Sequence, residues 1–266
     1  MAKHDESVYL AMLLEPIKIC EHYRPALGTS EKDGVSLKEF QALFARDPLY
    51  SWLGLSSPEL YAAHKAAGGI TSFYRQLGIG CERLVRRILM DAFGITESQA
   101  KWSYTYQNSS GESAVLSLDG RIDAEMIKPA DRQRVLKWVE VVAAKAGIES
   151  KIRSSLKGIV LEVRQGYKSA DSKRQNADLR NAVRAYNAGY VPAMMIMSNQ
   201  INTAVRARYE SANITMLSGL LNKDCFSCTY AFMEDVVGYS LSSFFEANTD
   251  EIRLTVRRVV SGLLRP

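Results

Sequence analysis

The amino-acid sequence predicts an α/β (α+β) fold in which helices flank a mixed central β-sheet. Three observations support this prediction. Residues 102–127 contain short alternating stretches and turn residues, which are typical of strands. Two later apolar runs, 158–164 and 191–197, are typical of buried strands. The segments around these runs have the 3.6-residue apolar periodicity of amphipathic helices.

The chain divides by pattern into a helical N-terminal region, residues 1–67, and a core, residues 68–266. In the first region, Ser36 and Glu39 have the spacing of a capping box, and Ser57-Pro58 is a second helix-start signal. A Gly-Gly-Ile sequence at 68–70 is expected to break the helix that begins at Ser57-Pro58.

The first part of the core is predicted to contain a helix, a strand and a hairpin. One apolar stripe predicts a helix over 79–93, and alternating aromatic residues predict a strand over 102–106. Residues 114–118 and 121–127 are expected to pair as an antiparallel hairpin through a tight Asp119-Gly120 turn.

The second part of the core alternates helices with apolar strands. Helices are predicted over 132–146 and 173–187, each with apolar residues along one face. A short strand is plausible at 213–217, and residues 225–247 are predicted to be mostly helical.

Composition sets limits on function. Hydrophobic residues make up 47% of the 266 residues, which is enough for a substantial core. The net charge of +5 and pI near 8.9 are compatible with a polyanionic partner. No secretory signal and no long apolar stretch are present, so we expect a cytoplasmic protein that does not enter a membrane. The cysteines are expected to be reduced and buried rather than zinc ligands: Cys20, Cys81, Cys225 and Cys228.

Charged residues lie on two of the predicted strands. Glu162 and Arg164 share a face of the 158–164 strand, and a buried charge there needs a partner or a metal. Asp123 lies on another strand, so Asp123 and Glu162 are expected to form an oxygen-rich site suited to Mg²⁺. Asp119 competes with Asp123 for the role of metal ligand, and Asp123 is the favoured candidate. In the competing interpretation, the aspartates make local hydrogen bonds in the turn, and Glu162 and Arg164 form an ion pair.

These residues resemble the motif of the PD-(D/E)xK nuclease superfamily, and within it the type II restriction endonucleases. Gly120-Arg-Ile-Asp123 corresponds to the first half of the motif and Leu161-Glu162-Val-Arg164 to the second. The resemblance implies a restriction-endonuclease-like core that performs Mg²⁺-dependent, sequence-specific hydrolysis of double-stranded DNA. It also implies a homodimer that matches a palindromic site and needs no nucleotide cofactor.

The resemblance also implies two further catalytic residues. Glu82, in Gly78-Ile-Gly-Cys-Glu82, corresponds to the glutamate that family members often have on the preceding helix. The chain departs from the family at Arg164, because the motif has lysine there and an arginine cannot act as a base. Lys168 is the expected substitute, sharing the role with Arg164.

The polar stretch after the 158–164 strand is the best candidate for contacts with DNA. Its side chains can address base edges and phosphates. The expected DNA-binding residues are Lys168, Ser169, Asp171, Ser172, Lys173, Arg174 and Asn176. A solvated loop is the competing interpretation. Two alternative functions remain open, a structure-specific repair or recombination nuclease and a non-catalytic DNA-binding protein on the same fold.

Overall fold

The computed structural model describes residues 5–29, 33–107, 110–167 and 172–266, with only the backbone of residues 172–174. The helices are α1 (Glu6–Lys18), α2 (Leu37–Ala45), α3 (Pro48–Trp52), α4 (Pro58–Phe93), α5 (Glu97–Ala100), α6 (Pro129–Lys145), α7 (Ser150–Arg153), α8 (Ser172–Asn187), α9 (Thr203–Ser211), α10 (Thr229–Phe232), α11 (Leu241–Ala247) and α12 (Thr249–Leu263). A 3₁₀ turn (Ile19–His22) follows α1, and a π-helical turn (Met233–Val237) follows α10.

The strands form two sheets. They are β1 (Trp102–Gln107), β2 (Ser113–Leu118), β3 (Gly120–Asp123), β4 (Gly158–Arg164), β5 (Tyr190–Ile196) and β6 (Thr215–Leu217). Strands β1 and β2 form an antiparallel pair. The larger sheet has the order β3-β4-β5-β6, antiparallel between β3 and β4 and parallel elsewhere. The prediction of helices combined with a mixed sheet is confirmed.

The chain separates into two compact units. One contains Met1–Tyr9 and Cys81–Ala247, and therefore both sheets. The other contains Leu10–Gly80 and Asn248–Pro266 and is helical. Among the residues described, no helix is both long enough and apolar enough to cross a membrane.

Helix α4 corrects the expected break at 68–70, because it is continuous from Pro58 to Phe93. Both glycines are closely packed against neighbouring side chains. A Cβ at Gly68 would meet the Tyr23 hydroxyl end, and one at Gly69 would meet the Leu263 methyl groups, so either side chain would have to shift. The helix therefore continues through two weak helix formers that lie in close tertiary contact. The predicted boundary between residues 67 and 68 falls inside this helix.

The expected hairpin between 114–118 and 121–127 is also wrong. Strand β2 pairs with β1, and β3 pairs with β4. Gly120 does not have the positive φ that a tight hairpin turn requires, so the chain continues from β2 into β3 instead of reversing. The third strand ends at Asp123, and Ile127 lies beyond it.

Strand β4 is one of the two inner strands of the larger sheet and has the predicted bounds, Gly158–Arg164. Its side chains Ile159, Leu161 and Val163 are completely buried. On the other face, Val160 belongs to a cluster with Ala185 of α8 and Tyr190 of β5. The charged residues Glu162 and Arg164 therefore continue the face of β4 that α8 covers.

Candidate functional site: a carboxylate–arginine cluster

The register between β3 and β4 decides which aspartate lies beside Glu162. Gly120 is opposite Leu161, and Asp123 is opposite Gly158 at the other end of β4. At about 3.3 Å per residue, the Asp123 end lies roughly 13 Å along the strand from Glu162. The structure therefore does not bring Asp123 and Glu162 together, and the expectation that they form one site is corrected. Asp119, which directly precedes Gly120, lies beside Glu162.

Asp123 has a structural environment of its own. It is 4% exposed and accepts hydrogen bonds from the Tyr190 hydroxyl at 2.6 Å and from the Glu125 amide at 3.0 Å. Burial, together with the hydrogen bond to Asp123, raises the pKa of Tyr190 to about 12. Asp123 thus ties β3 to β5 and closes the turn that follows β3.

Asp119 is fixed by groups from β4 and α4. Its Oδ2 accepts a hydrogen bond from the Val163 amide at 2.8 Å. Arg86 of α4 donates through Nε to the Asp119 carbonyl at 2.9 Å, and its Nη2 lies 4.0 Å from Asp119 Oδ1. Burial raises the pKa of the Asp119 carboxyl, although the Val163 hydrogen bond and nearby arginines oppose the shift.

Glu162 and Arg164 form a buried ion pair. Burial raises the pKa of Glu162 to about 8, despite the Arg164 charge. The nearby negative charges of Asp119 and Asp178 raise it further. The Arg164 guanidinium also lies 3.5 Å from Asp178 Oδ1, and its buried Nε has no hydrogen-bond partner among the residues described.

Asp178 is a member of the site that the sequence analysis missed. This carboxylate on α8 is 6% exposed, and its Oδ2 accepts hydrogen bonds from Tyr209 at 2.7 Å and Tyr167 at 3.2 Å. The signal was present, because Asp178 is four residues before Ala182 on the buried stripe of α8. A carboxylate on such a stripe needs a partner.

Glu82 lies close enough for its negative charge to act on both Glu162 and Arg164, so the structure places this predicted residue near the strand carboxylates. We call the set the carboxylate–arginine cluster: Glu82, Arg86, Asp119, Glu162, Arg164 and Asp178. Four acidic groups face two basic ones in largely buried surroundings. The cluster therefore favours an added positive charge.

The predicted DNA-binding stretch is only partly described. Lys168, Ser169 and Asp171 lie outside the described residues. The prediction that Lys168 replaces the family's lysine therefore also concerns a residue outside the described ranges. The first turn of α8 contains the backbone of Ser172, Lys173 and Arg174. Asn176 accepts a hydrogen bond from Arg208 at 2.6 Å, and its neighbour Gln175 accepts one from the same guanidinium at 2.9 Å.

The cluster fits a magnesium ion held by few protein ligands. Within the described ranges, no three His, Cys, Asp or Glu side chains are grouped as a metal site. Mg²⁺ is usually bound by one or two carboxylates, with waters and substrate phosphates completing its shell. Asp119, just before β3, and Glu162, on β4, supply two neighbouring carboxylates, and burial raises the pKa of both, which opposes their ionisation until a cation is present.

No protein-family model, no curated protein and no solved structure matches this chain. Function must therefore be argued from the cluster and its surroundings.

Proposed function

We propose that this protein is a Mg²⁺-dependent endonuclease that hydrolyses phosphodiester bonds in double-stranded DNA. The observation that supports the proposal is the position of Asp119, which directly precedes β3 and accepts a hydrogen bond from the amide of Val163, the residue after Glu162 on β4. Two carboxylates at this point, with arginines beside them, suit a reaction in which negative charge develops on phosphate oxygens.

Each group would have a defined task. Asp119 and Glu162 would hold the ion, which when bound neutralises phosphate charge and lowers the pKa of a water molecule. Asp119 keeps one oxygen on the Val163 amide, which fixes the orientation of its carboxylate. Arg164 cannot lose its proton, so it would stabilise charge on the phosphate rather than act as a base. Glu82 would tune the cluster through its charge.

The finer assignment is also part of the proposal. The resemblance to type II restriction endonucleases implies sequence-specific cleavage by a homodimer. Within that resemblance, Asp119 rather than Asp123 would fill the first half of the motif, because it precedes Gly120, the residue opposite Leu161. A two-fold dimer would place two clusters on the two strands of a palindromic site.

A non-catalytic DNA-binding protein is the second candidate, and a specific observation favours it. Arg164 occupies the lysine position of the motif and forms an ion pair with the carboxylate that would hold the metal. In a non-catalytic protein, the Arg164 charge would take the place of the metal beside Glu162. Substitution of Asp119 would then leave DNA binding unchanged.

The test is incubation of supercoiled plasmid with the protein in Mg²⁺ and in EDTA, followed by sequencing of the ends. We expect discrete fragments only with Mg²⁺, and a rate at least about 100-fold lower for Asp119→Asn and Glu162→Gln. Glu125→Gln is the charge-matched control, because Glu125 is exposed and outside the cluster. Absence of cutting with every divalent metal would contradict the proposal, as would full activity of Asp119→Asn.

A further inference from the structure

The inner face of the β1–β2 sheet is aromatic and only partly covered. Trp102, Tyr104 and Tyr106 alternate along β1 on this face; Trp102 is buried, whereas Tyr104 and Tyr106 are partly exposed. The opposite face, with residues such as Thr105 and Val115, is exposed throughout. The two-stranded sheet therefore extends beyond the core that covers its base and leaves aromatic rings accessible.

Helix α8 forms the second wall of a groove along this face. The groove has a volume of about 290 Å³. Its main lining residues are aromatic and apolar on the sheet side and basic on the helix side: Tyr104, Tyr106, Leu116, Arg180, Val183 and Arg184. Among the residues that the structure describes, no acidic one lines the groove. We call it the tyrosine–arginine groove.

The two arginines give the groove a positive charge, and no acidic side chain in the described part of the chain lines it. Arg180 and Arg184 are exposed, stand one turn apart on α8, and form no ion pair with any residue in the described ranges. The Arg184 guanidinium carbon lies 6.0 Å from the centre of the Tyr104 ring. Burial raises the pKa of Tyr104, and the positive charges of Arg184 and Arg180 oppose that shift.

We propose that the tyrosine–arginine groove binds an unpaired strand of DNA. Partly exposed aromatic rings can stack on a base, and neighbouring arginines can hold the phosphates on either side of it. A base inside a duplex has both faces covered, so this chemistry selects an unpaired one. The proposal rests on the proposed function only for the choice of DNA as the nucleic acid.

The groove is connected to the carboxylate–arginine cluster through one residue. The Tyr104 hydroxyl donates a hydrogen bond to Asn181 at 2.6 Å. Asn181 and the cluster residue Asp178 are one turn apart on α8, and both line a small cavity beside Glu162. A strand held in the groove would therefore pass close to the cluster. This placement would let the groove hold an unpaired segment next to the duplex that the cluster cuts.

The test is the binding of a fluorescent single-stranded oligonucleotide, and of a blunt duplex of the same sequence, measured by anisotropy in EDTA. We expect the wild type to bind the single strand more tightly than the duplex. Tyr106→Leu should weaken single-strand binding by about 5- to 100-fold, whereas Tyr106→Phe, which keeps the ring, should not.

The arginines are tested by salt dependence. In Arg180→Gln/Arg184→Gln, the slope of log affinity against log salt should decrease by about 1.4, because two phosphate contacts are lost. Lys137→Gln/Lys151→Gln removes the same charge from exposed positions on α6 and α7 and should keep the wild-type slope. Circular dichroism verifies that each variant is folded.

The outcomes separate this proposal from the proposed function. Unchanged single-strand affinity in folded Tyr106→Leu and in the double arginine variant would overturn the groove, even if the wild type cuts plasmid. Loss of a dimer in these variants, measured by light scattering, would instead make the groove a protein interface and overturn the proposal. If the variants bind as expected but the wild type cuts no DNA, the groove stands and the nuclease assignment fails.

Discussion

Replacement of Asp123 by alanine should destabilise the protein without stopping cleavage. Asp123 is buried and accepts one hydrogen bond from the Tyr190 hydroxyl and another from the Glu125 amide. The substitution removes the carboxylate that accepts from the buried hydroxyl, at about 1–3 kcal/mol, and removes a turn hydrogen bond worth about 0.5–1.5 kcal/mol. The free energy of unfolding should therefore fall by roughly 2–4 kcal/mol.

Thermal denaturation followed by circular dichroism measures this loss. At about 2–4 °C per kcal/mol, the midpoint should fall by roughly 5–15 °C. Tyr190→Phe removes the hydroxyl, so the double variant should be less destabilised than the sum of the two single variants. Plasmid cleavage at a temperature where Asp123→Ala is folded should stay within about threefold of the wild type. An unchanged midpoint together with loss of cleavage would refute the reasoning and return Asp123 to the metal site.

Three further predictions concern the cluster and its scaffold. Burial raises the pKa of Glu162 to about 8, and a metal needs the ionised form of this carboxyl. The Mg²⁺ affinity measured by calorimetry should therefore rise about tenfold per pH unit below pH 8 and level off above it. A pH-independent affinity would contradict this prediction. Asp178→Asn should lower the cleavage rate at saturating DNA by about tenfold and leave DNA affinity unchanged, because Asp178 positions Arg164; a change in affinity alone would contradict this. Gly158→Ala should lower the free energy of unfolding, measured by urea denaturation, by about 1–3 kcal/mol, because the new Cβ would overlap the Ile122 carbonyl. The control Gly78→Ala places its Cβ in open space and should be neutral or stabilising.

Elements with a strong local pattern could be predicted from the sequence. Strand β4 has the predicted bounds because a short apolar run between turn residues has few alternatives to a buried strand. The capping box at Ser36 is also present, with Ser36 Oγ accepting from the Glu39 amide at 3.4 Å and the Glu39 carboxylate accepting from the Ser36 amide at 2.8 Å. Such signals depend only on residues a few positions apart.

Strand pairing could not be predicted in the same way. The Asp119-Gly120 dipeptide favours a local hairpin, yet β3 pairs with β4 from a distant part of the chain. Local propensity does not contain the packing energy that selects a distant partner. The position of Asp119 could not be predicted for the same reason, because only the register with β4 shows which aspartate lies beside Glu162.

Other members of the site depend on tertiary packing. Asp178 interacts with Arg164 of β4 and with Tyr209 of α9, and neither contact can be read from the α8 segment alone. Glu82 was expected from the resemblance to the nuclease family, and in the structure its negative charge acts on Glu162. Residue type thus indicated the chemistry, while pairing and packing determined which residues share the site.

The most direct test of the central claim compares plasmid cleavage by Asp119→Asn and Asp123→Asn under single-turnover conditions in Mg²⁺. Asparagine keeps an oxygen acceptor at both positions, so each variant retains part of its native hydrogen bonding. If Asp119 and Glu162 hold the metal, Asp119→Asn should cut at least about 100-fold more slowly than Asp123→Asn, and Asp123→Asn should cut at close to the wild-type rate. The reverse order, or equal rates for the two variants, would contradict the assignment of the site to Asp119 and Glu162.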